Sequence, residues 1–347
     1  MTLPASGVIS LLSLQNEFGG SNPIGLNEYY RGGTYVINGL AQNASIPTSG
    51  TIALSNFYGA QKGFLFTSTI SANTTNYNLG TAMTAAGWNG TDPVVATVTI
   101  NAGVSVYSTS IANAGFTVPS LPATSTVSIT NNGTIYGVGG SAGFVAGGSG
   151  GVGLSVSYAT TVTNNGYIAG GGGGGGAGAD LPSTLCLTNI STAGGAGGSA
   201  IQIFANLTMY NTANIYGGGG GGGGGAQAFV GSNCGVTISA SGGGGGGGQG
   251  YGGGTGAPKG CYRFCSTNPG DYGAIAGSSG TSSGGGAGGA GGYNNGVYGG
   301  TGGNGAGWAT AGDASGSAGG AAGRAVTLTS GTFTLASNTG TILGAYT

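Results

Sequence analysis

The chain has 347 residues, of which 88 are glycine, none is histidine and only 3 % are charged, for a net charge of −1. Its whole basic inventory is Arg31, Lys62, Lys259, Arg263 and Arg324, too sparse to neutralise a run of phosphates or an anionic lipid surface, which excludes nucleic acid and membrane surfaces as partners. Low-complexity, glycine-rich chains are commonly disordered, but such chains stay soluble through charge, and the 38 % hydrophobic content here is that of a folded protein.

Residues 1–62 read as a small N-terminal module that docks on a partner. They hold Glu17, Glu28, Arg31 and Lys62 and a loose repeat, in which Pro4-Ala-Ser-Gly-Val-Ile-Ser-Leu11 recurs as Pro47-Thr-Ser-Gly-Thr-Ile-Ala-Leu54. Leu11 to Phe18 and Leu26 to Tyr30 suit short helical turns; nothing supports longer helices, so the fold is expected to contain almost no α-helix. The start, Met1-Thr2-Leu3-Pro4, lacks a basic stretch and apolar core for secretion, and no run approaches the roughly 18 apolar residues of a membrane helix. Neither secretion nor membrane insertion is expected; release by lysis within a virus particle would deliver the chain outside cells.

Residues 63–125 read as a β-rich connector. Pro93 to Val106 alternates apolar with small polar residues, the period of a half-buried strand, broken by a turn at Asn101-Ala102-Gly103. Thr117 to Leu121 ends at prolines, and Thr126 to Ile129 resumes the alternation.

Residues 126–347 form the glycine-rich part. A degenerate unit recurs as Val127–Gly137, Thr161–Gly170 and Leu207–Gly217, with an echo at Asn338–Gly344: a short β run, an Asn-rich turn, an Ile, then glycine. Because Asn and Gly tolerate tight turns, each unit is expected to be a strand, a turn and a second short strand. The irregular spacing predicts stacked β layers rather than a regular solenoid.

Between these units lie pure glycine tracts, Gly170–Gly176, Gly217–Gly225 and Gly242–Gly248. Elsewhere the interruptions fall every third residue: Ala193, Ala196 and Ser199; Ala287, Ala290 and Tyr293; Thr301 and Asn304; Ser149 and Val152. Three residues per turn is the period of the extended polyproline-II-type helix, which makes no internal hydrogen bonds. Only glycine lets such helices approach closely enough to bond one another through their backbones, satisfying groups that otherwise have no partner. Collagen has the inverse pattern, glycine at every third place with abundant proline, and only 9 prolines are present. A flexible linker would not embed long glycine runs between repeated β units. The expected fold is mainly β plus a polyglycine-II helix bundle, a glycine-helix sandwich with interleaved short strands. A nine-residue tract spans roughly 28 Å at about 3.1 Å per residue.

Nothing in this inventory favours catalysis. Without histidine there is no Ser-His or Cys-His pair, and Glu17, Glu28, Asp92, Asp180, Asp271 and Asp313 are scattered. Matches to GxGxxG are uninformative in so glycine-rich a chain, GxxxxGK[ST] is absent, and no cofactor is implied. Cys186, Cys234, Cys261 and Cys265 are disulfide candidates, with Cys261–Cys265 and Cys186–Cys234 one of three pairings; free thiols remain open, and a zinc site is disfavoured because no paired CxxC spacing occurs. Recognition is easier to place, because loops joining rigid glycine helices are where bulky side chains fit. Gln249–Ala276 carries Tyr251, Lys259, Tyr262, Arg263, Phe264, Asp271 and Tyr272. Ala177–Thr192 and Ala226–Ser241 follow, the latter with Phe229, and Tyr293, Tyr298 and Trp308 are expected on the same face. Aromatic residues beside Arg suit a binding loop; the plainer alternative is that they cover the bundle ends.

Glycine tracts separated by variable loops behind a small N-terminal module resemble the tail-fibre tip adhesins of T-even-type bacteriophages. The run Asn76–Leu79 through Ala86–Gly90, with Val98–Ile100 and Asn131–Ile135, resembles glycine-rich phage tail proteins more broadly, and Ser49–Gly59 is similar to N-terminal modules of phage structural proteins. The resemblance implies a sandwich of polyglycine-II helices that presents loops to a bacterial outer-surface protein or glycan, carried on the virion by a tail-fibre or tail-tip protein. Four cysteines and interleaved β units depart from that pattern. Two alternatives stand beside it: a purely structural virion or filament component, and an ice-binding protein, whose mark would be ordered Thr or Ala rows on a flat face.

Overall fold

Strands of alternating apolar and hydroxyl side chains wind into a three-faced coil. The computed structural model describes residues 2–346 apart from 144, 179–190, 227, 234, 235, 241–246, 252, 258–273, 292, 295, 296 and 299. One sheet stacks Phe64–Ile70, Val94–Ile100, Thr126–Asn131, Thr160–Asn164, Leu207–Asn211 and Phe333–Asn338. A second stacks Thr74–Thr75, Ser105–Tyr107, Thr134–Tyr136, Tyr167–Ala169, Asn214–Tyr216 and Thr341–Leu343. The third stacks Tyr77–Asn78, Phe116–Val118, Leu154–Val156, Ile201–Ile203 and Val326–Leu328. The chain visits first, second and third sheet in turn, and each strand pairs in parallel with its counterpart one coil away.

This is a solenoid, and it corrects the expectation of stacked layers built from hairpins. The two strands flanking Asn131-Asn132-Gly133, like those flanking Asn164-Asn165-Gly166, lie in different sheets. The Asn-Gly step is therefore a corner of the coil. Its period is hidden in the sequence because the corner between second and third sheet lengthens with each coil. That corner is residue 76 in the first coil, then 108–115, 137–153, 170–200 and finally 217–325. The sheets run without interruption past residue 125.

Burial follows the register. Val98, Ile129, Val162 and Met209 form one inward row, and Phe116, Leu154, Ile201 and Val326 another, all buried in a single core. Corners are held by amides. The Asn131 side-chain nitrogen donates to Asn164 Oδ1 at 2.8 Å, Asn164 to Asn211 at 2.7 Å and Asn211 to Asn338 at 2.8 Å. Stacked asparagines satisfy one another where the interior offers no water.

The two α-helices of the described residues stand outside the coil. Helix α1 (Leu11–Phe18) begins where Ser10 and Ser13 form a reciprocal cap, as the helical turn expected there requires. It packs Leu14 and Phe18 into a second core with Tyr29, Val36, Ile46 and Phe57. Helix α2 (Leu79–Ala85) was not expected. Asn78 caps it through the Thr81 amide at 3.1 Å, and Leu79 and Met83, one turn apart, face the coil's core, a signal the sequence does carry.

Candidate functional site

Every glycine tract belongs to the lengthening corner, so the tracts leave the solenoid together and build a lobe on it. The segments alternate in direction. Those beginning at Gly137, Gly170 and Gly217 run outward from the second sheet, and those ending at Gly153, Ala200 and Ala325 return to the third. Within 217–325 the chain reaches its inner end and turns outward again at Gly250–Tyr251, Thr281–Gly284 and Gly307–Thr310, as bonds of Gly219 to Gln249, of Thr281 to Gly284 and of Ala309 to Gly217 show.

Backbone bonds join neighbouring segments with a three-residue repeat. The amides of Gly170, Gly173 and Gly176 reach the carbonyls of Tyr216, Gly219 and Gly222, all at 2.9 Å. Successive residues turn to different neighbours: Gly219, Gly220 and Gly221 donate to Gln249, Thr310 and Gly195, again at 2.9 Å. Gly217–Gly225 is buried at all nine positions. A methyl on Gly173, Gly174, Gly218 or Gly221 would land on a neighbouring carbonyl. Among the described residues no glycine of the lobe has a positive φ, so close approach, rather than turn geometry, demands glycine here. At the lobe's surface the every-third side chains point out, as Ala287, Ala290, Thr301 and Asn304 do.

The outer end of the lobe carries two antiparallel hairpins, Ala228–Asn233 with Val236–Ala240 and Tyr293–Asn294 with Val297–Tyr298. The rings of Tyr293 and Tyr298 lie 4.7 Å apart and are 46 % and 71 % exposed. Phe229 lies within the first hairpin. Lys259, Tyr262, Arg263, Phe264, Asp271, Tyr272 and the cysteines Cys186, Cys234, Cys261 and Cys265 fall outside the described residues. The Gly277 amide donates to the Ala257 carbonyl at 2.9 Å, which ties together the two segments that flank the 258–273 stretch.

Tyr251 and Trp308 are elsewhere, which separates them from Tyr293 and Tyr298 on the expected common face. Both occupy inner turns, against the second sheet. The Tyr251 ring lies 5.6 Å from Tyr136 and 5.7 Å from Tyr167, and Trp308 lies 5.4 Å from Tyr216 and 5.7 Å from Tyr251. Gln249, itself buried, ties these turns: its amide nitrogen donates to the Ser282 carbonyl at 2.8 Å and its oxygen accepts from the Trp308 amide at 3.0 Å. Burial, and secondly the neighbouring tyrosines, raises the Tyr136, Tyr216 and Tyr251 hydroxyls above the ordinary tyrosine value. The sequence did contain a sign of this seam. The equivalent dipeptides of three repeats are Ile135-Tyr136, Ile168-Ala169 and Ile215-Tyr216, so one tyrosine is missing from an aligned row.

Among the described residues no cluster of three or more Cys, Asp or Glu side chains could hold a metal ion, and no helix is long and apolar enough to cross a membrane. The chemistry on offer is a backbone-bonded scaffold, with Asp313 and Arg324 the charged side chains of its described part, that carries exposed tyrosines at its outer end.

Comparison with known proteins gives this arrangement a context. The family model described as phage tail fibre adhesin Gp38 matches residues 65–198 and 183–347. Curated proteins gave no match. Among solved structures, the gp37-gp38 adhesin tip complex of the bacteriophage S16 long tail fiber is similar, with 23 % identity, 85 % of this chain and 88 % of that chain covered and a TM-score of 0.38.

Proposed function

Because the chain belongs to the phage tail fibre adhesin Gp38 family, and so works in the virion's tail fibre, we propose that it grips the bacterial surface through the loops at the lobe's outer end. The alternating course of the glycine segments carries this reading, since it brings the flanking residues Ala177, Thr192, Ala226 and Ala257, with Tyr293 and Tyr298, to the end remote from the solenoid. The act is binding, not catalysis, and the receptor is an outer-surface protein or glycan.

The lobe is read as a polyglycine-II sandwich. Support comes from the three-residue bond repeat, from bonds made between segments, and from the every-third placement of side chains. Residues 1–62 are read as the attachment module for a tail-fibre or tail-tip protein. They have their own core, and Val8 and Leu12 are 94 % and 63 % exposed, apolar surface that a docking partner would cover. Residues 63–125 then serve as the connector, and 126–347 carry the binding loops. Deleting residues 259–272, or replacing Tyr262 and Arg263 with alanine, should abolish adsorption of the phage to its host while particles still assemble. Full adsorption by these phages would leave a purely structural role.

One observation favours ice binding as a second reading. The outward face of the first sheet aligns Thr97, Ser128, Thr161, Thr208 and Thr334 in one row and Thr99, Thr130 and Thr163 in another. Parallel strands space such hydroxyls about 4.8 Å apart across the sheet and about 6.6 Å along it. Threonine is also a favoured residue on any outward strand face, and Tyr210 interrupts the second row. Thermal hysteresis by the purified chain would support this reading; its absence leaves the adhesin alone.

A further inference from the structure

Glycine-to-glycine bonds hold the lobe together but do not specify how far each segment is slid along its neighbour. With a three-residue bond repeat, a segment displaced by three residues, about 9 Å, makes the same backbone bonds, and featureless glycine segments are weakly registered for the same reason that flat glycine-rich strands are. Segments beginning or ending at Gly137, Gly153, Gly170, Ala200, Gly217 and Ala325 are fixed by chain connection to the solenoid. Those between 247 and 309 have no such connection. Among the described residues they meet the solenoid at their inner turns, where Tyr251 and Trp308 stand.

The solenoid offers those rings a defined seat. In the second sheet Tyr107, Tyr136, Ala169 and Tyr216 occupy equivalent places in adjacent strands. Tyr107 and Tyr136 stack at 5.1 Å and 8°. At Ala169, fully buried, the row has a methyl group where its neighbours have rings. The lobe fills the gap: the row continues from Tyr136 to Tyr251 at 5.6 Å, from Tyr251 to Trp308 at 5.7 Å and from Trp308 to Tyr216 at 5.4 Å.

We propose that Tyr251 and Trp308 are positioning residues, which key the unattached glycine segments into the vacancy at Ala169 and thereby set the height of the loops at the outer end. The proposal rests on the reading that those loops touch the host. Ring packing performs the keying, so a phenyl ring suffices at position 251.

Three variants test it, each with Trp88→Phe so that Trp308 is the remaining indole. Tyr251→Ala and Ala169→Tyr, one emptying the seat and the other blocking it, should shift Trp308 emission to the red and cut phage adsorption about tenfold or more, as lost preorganisation does. Amide-exchange protection of Gly171, Gly174 and Gly198 should persist, and Tyr251→Phe should match the parent in all three measurements. Normal adsorption by Tyr251→Ala and Ala169→Tyr overturns the proposal. So does loss of exchange protection in both, because the rings would then fold the lobe rather than register it. Should Tyr251→Ala alone fail to fold, Ala169→Tyr decides. The 259–272 deletion separates the two levels: if it leaves adsorption intact, the receptor-loop reading fails, and if it abolishes adsorption while the seat variants do not, only the keying fails.

Discussion

Asn164 shows how much a single side chain can hold in this coil. It is fully buried, accepts from Asn131 at 2.8 Å and donates to Asn211 at 2.7 Å. Asn164→Ala removes both bonds and strands an Asn131 donor and an Asn211 acceptor away from water, a cost of about 2–3 kcal/mol. Its sequence neighbour Asn165 is exposed, with a 3.0 Å bond to Asn132 at the surface, and its replacement by alanine should cost no more than about 0.5 kcal/mol. Urea midpoints followed by far-ultraviolet circular dichroism compare the two; equal effects would mean that the buried ladder contributes nothing special. The sequence made the Asn-Asn-Gly turns conspicuous but left their roles ambiguous. Local chemistry says that asparagine turns the chain, and only the coil-to-coil register says that Asn131, Asn164 and Asn211 face inward while Asn132 and Asn165 face out.

Among the elements, the glycine segments divide by what surrounds them. Gly221 lies in the fully buried tract, where an added methyl meets the Gly174 carbonyl. Gly221→Ala must push segments apart and should cost about 3 kcal/mol or more, the upper end of overpacking. Gly284 has open space around it and a φ that alanine accepts. Gly284→Ala should be neutral or stabilising by up to about 1 kcal/mol, through the unfolded chain's lost freedom. Amide exchange across the lobe reads both; equal tolerance at the two sites would refute close packing as the reason for glycine. This division was legible in the sequence, because the spacing of Ala193 and Ala196, or of Ala287 and Ala290, reports the three-residue period directly. The solenoid was not. Its repeat is spatial, and insertions as unequal as 108–115 and 217–325 at one corner erase any constant spacing, so two strands flanking an Asn-Gly step looked like a hairpin. Tyr251 and Trp308 are aromatic candidates for a binding loop by sequence, yet both stand at inner turns against the second sheet, because sequence gives no sign of which end of a segment a turn caps.

The whole molecule departs from most proteins in how little of it is charged: five basic and six acidic side chains and no histidine in 347 residues. Screening has little to act on, so melting should shift only slightly between low and physiological salt. No side chain with an ordinary pKa near neutrality is present, and stability should be flat from about pH 5.5 to 8. The alkaline side differs. Burial raises the hydroxyls of Tyr29, Tyr77, Tyr136, Tyr216 and Tyr251 above the unfolded value of 10.0. A raised acid keeps its full contribution below the unfolded value and loses it as pH climbs through the folded one. The contribution of these five tyrosines should therefore be lost only above pH 10. Three of the five belong to the seam between lobe and solenoid, so ionisation there places like charges within one ring row. The seam should open before the coil unfolds: tyrosinate absorbance and a red shift of Trp308 emission should precede the loss of far-ultraviolet signal, and Tyr251→Phe should move that first step to higher pH. A single transition seen at the same pH by all three signals would mean that lobe and solenoid come apart only when the coil itself does.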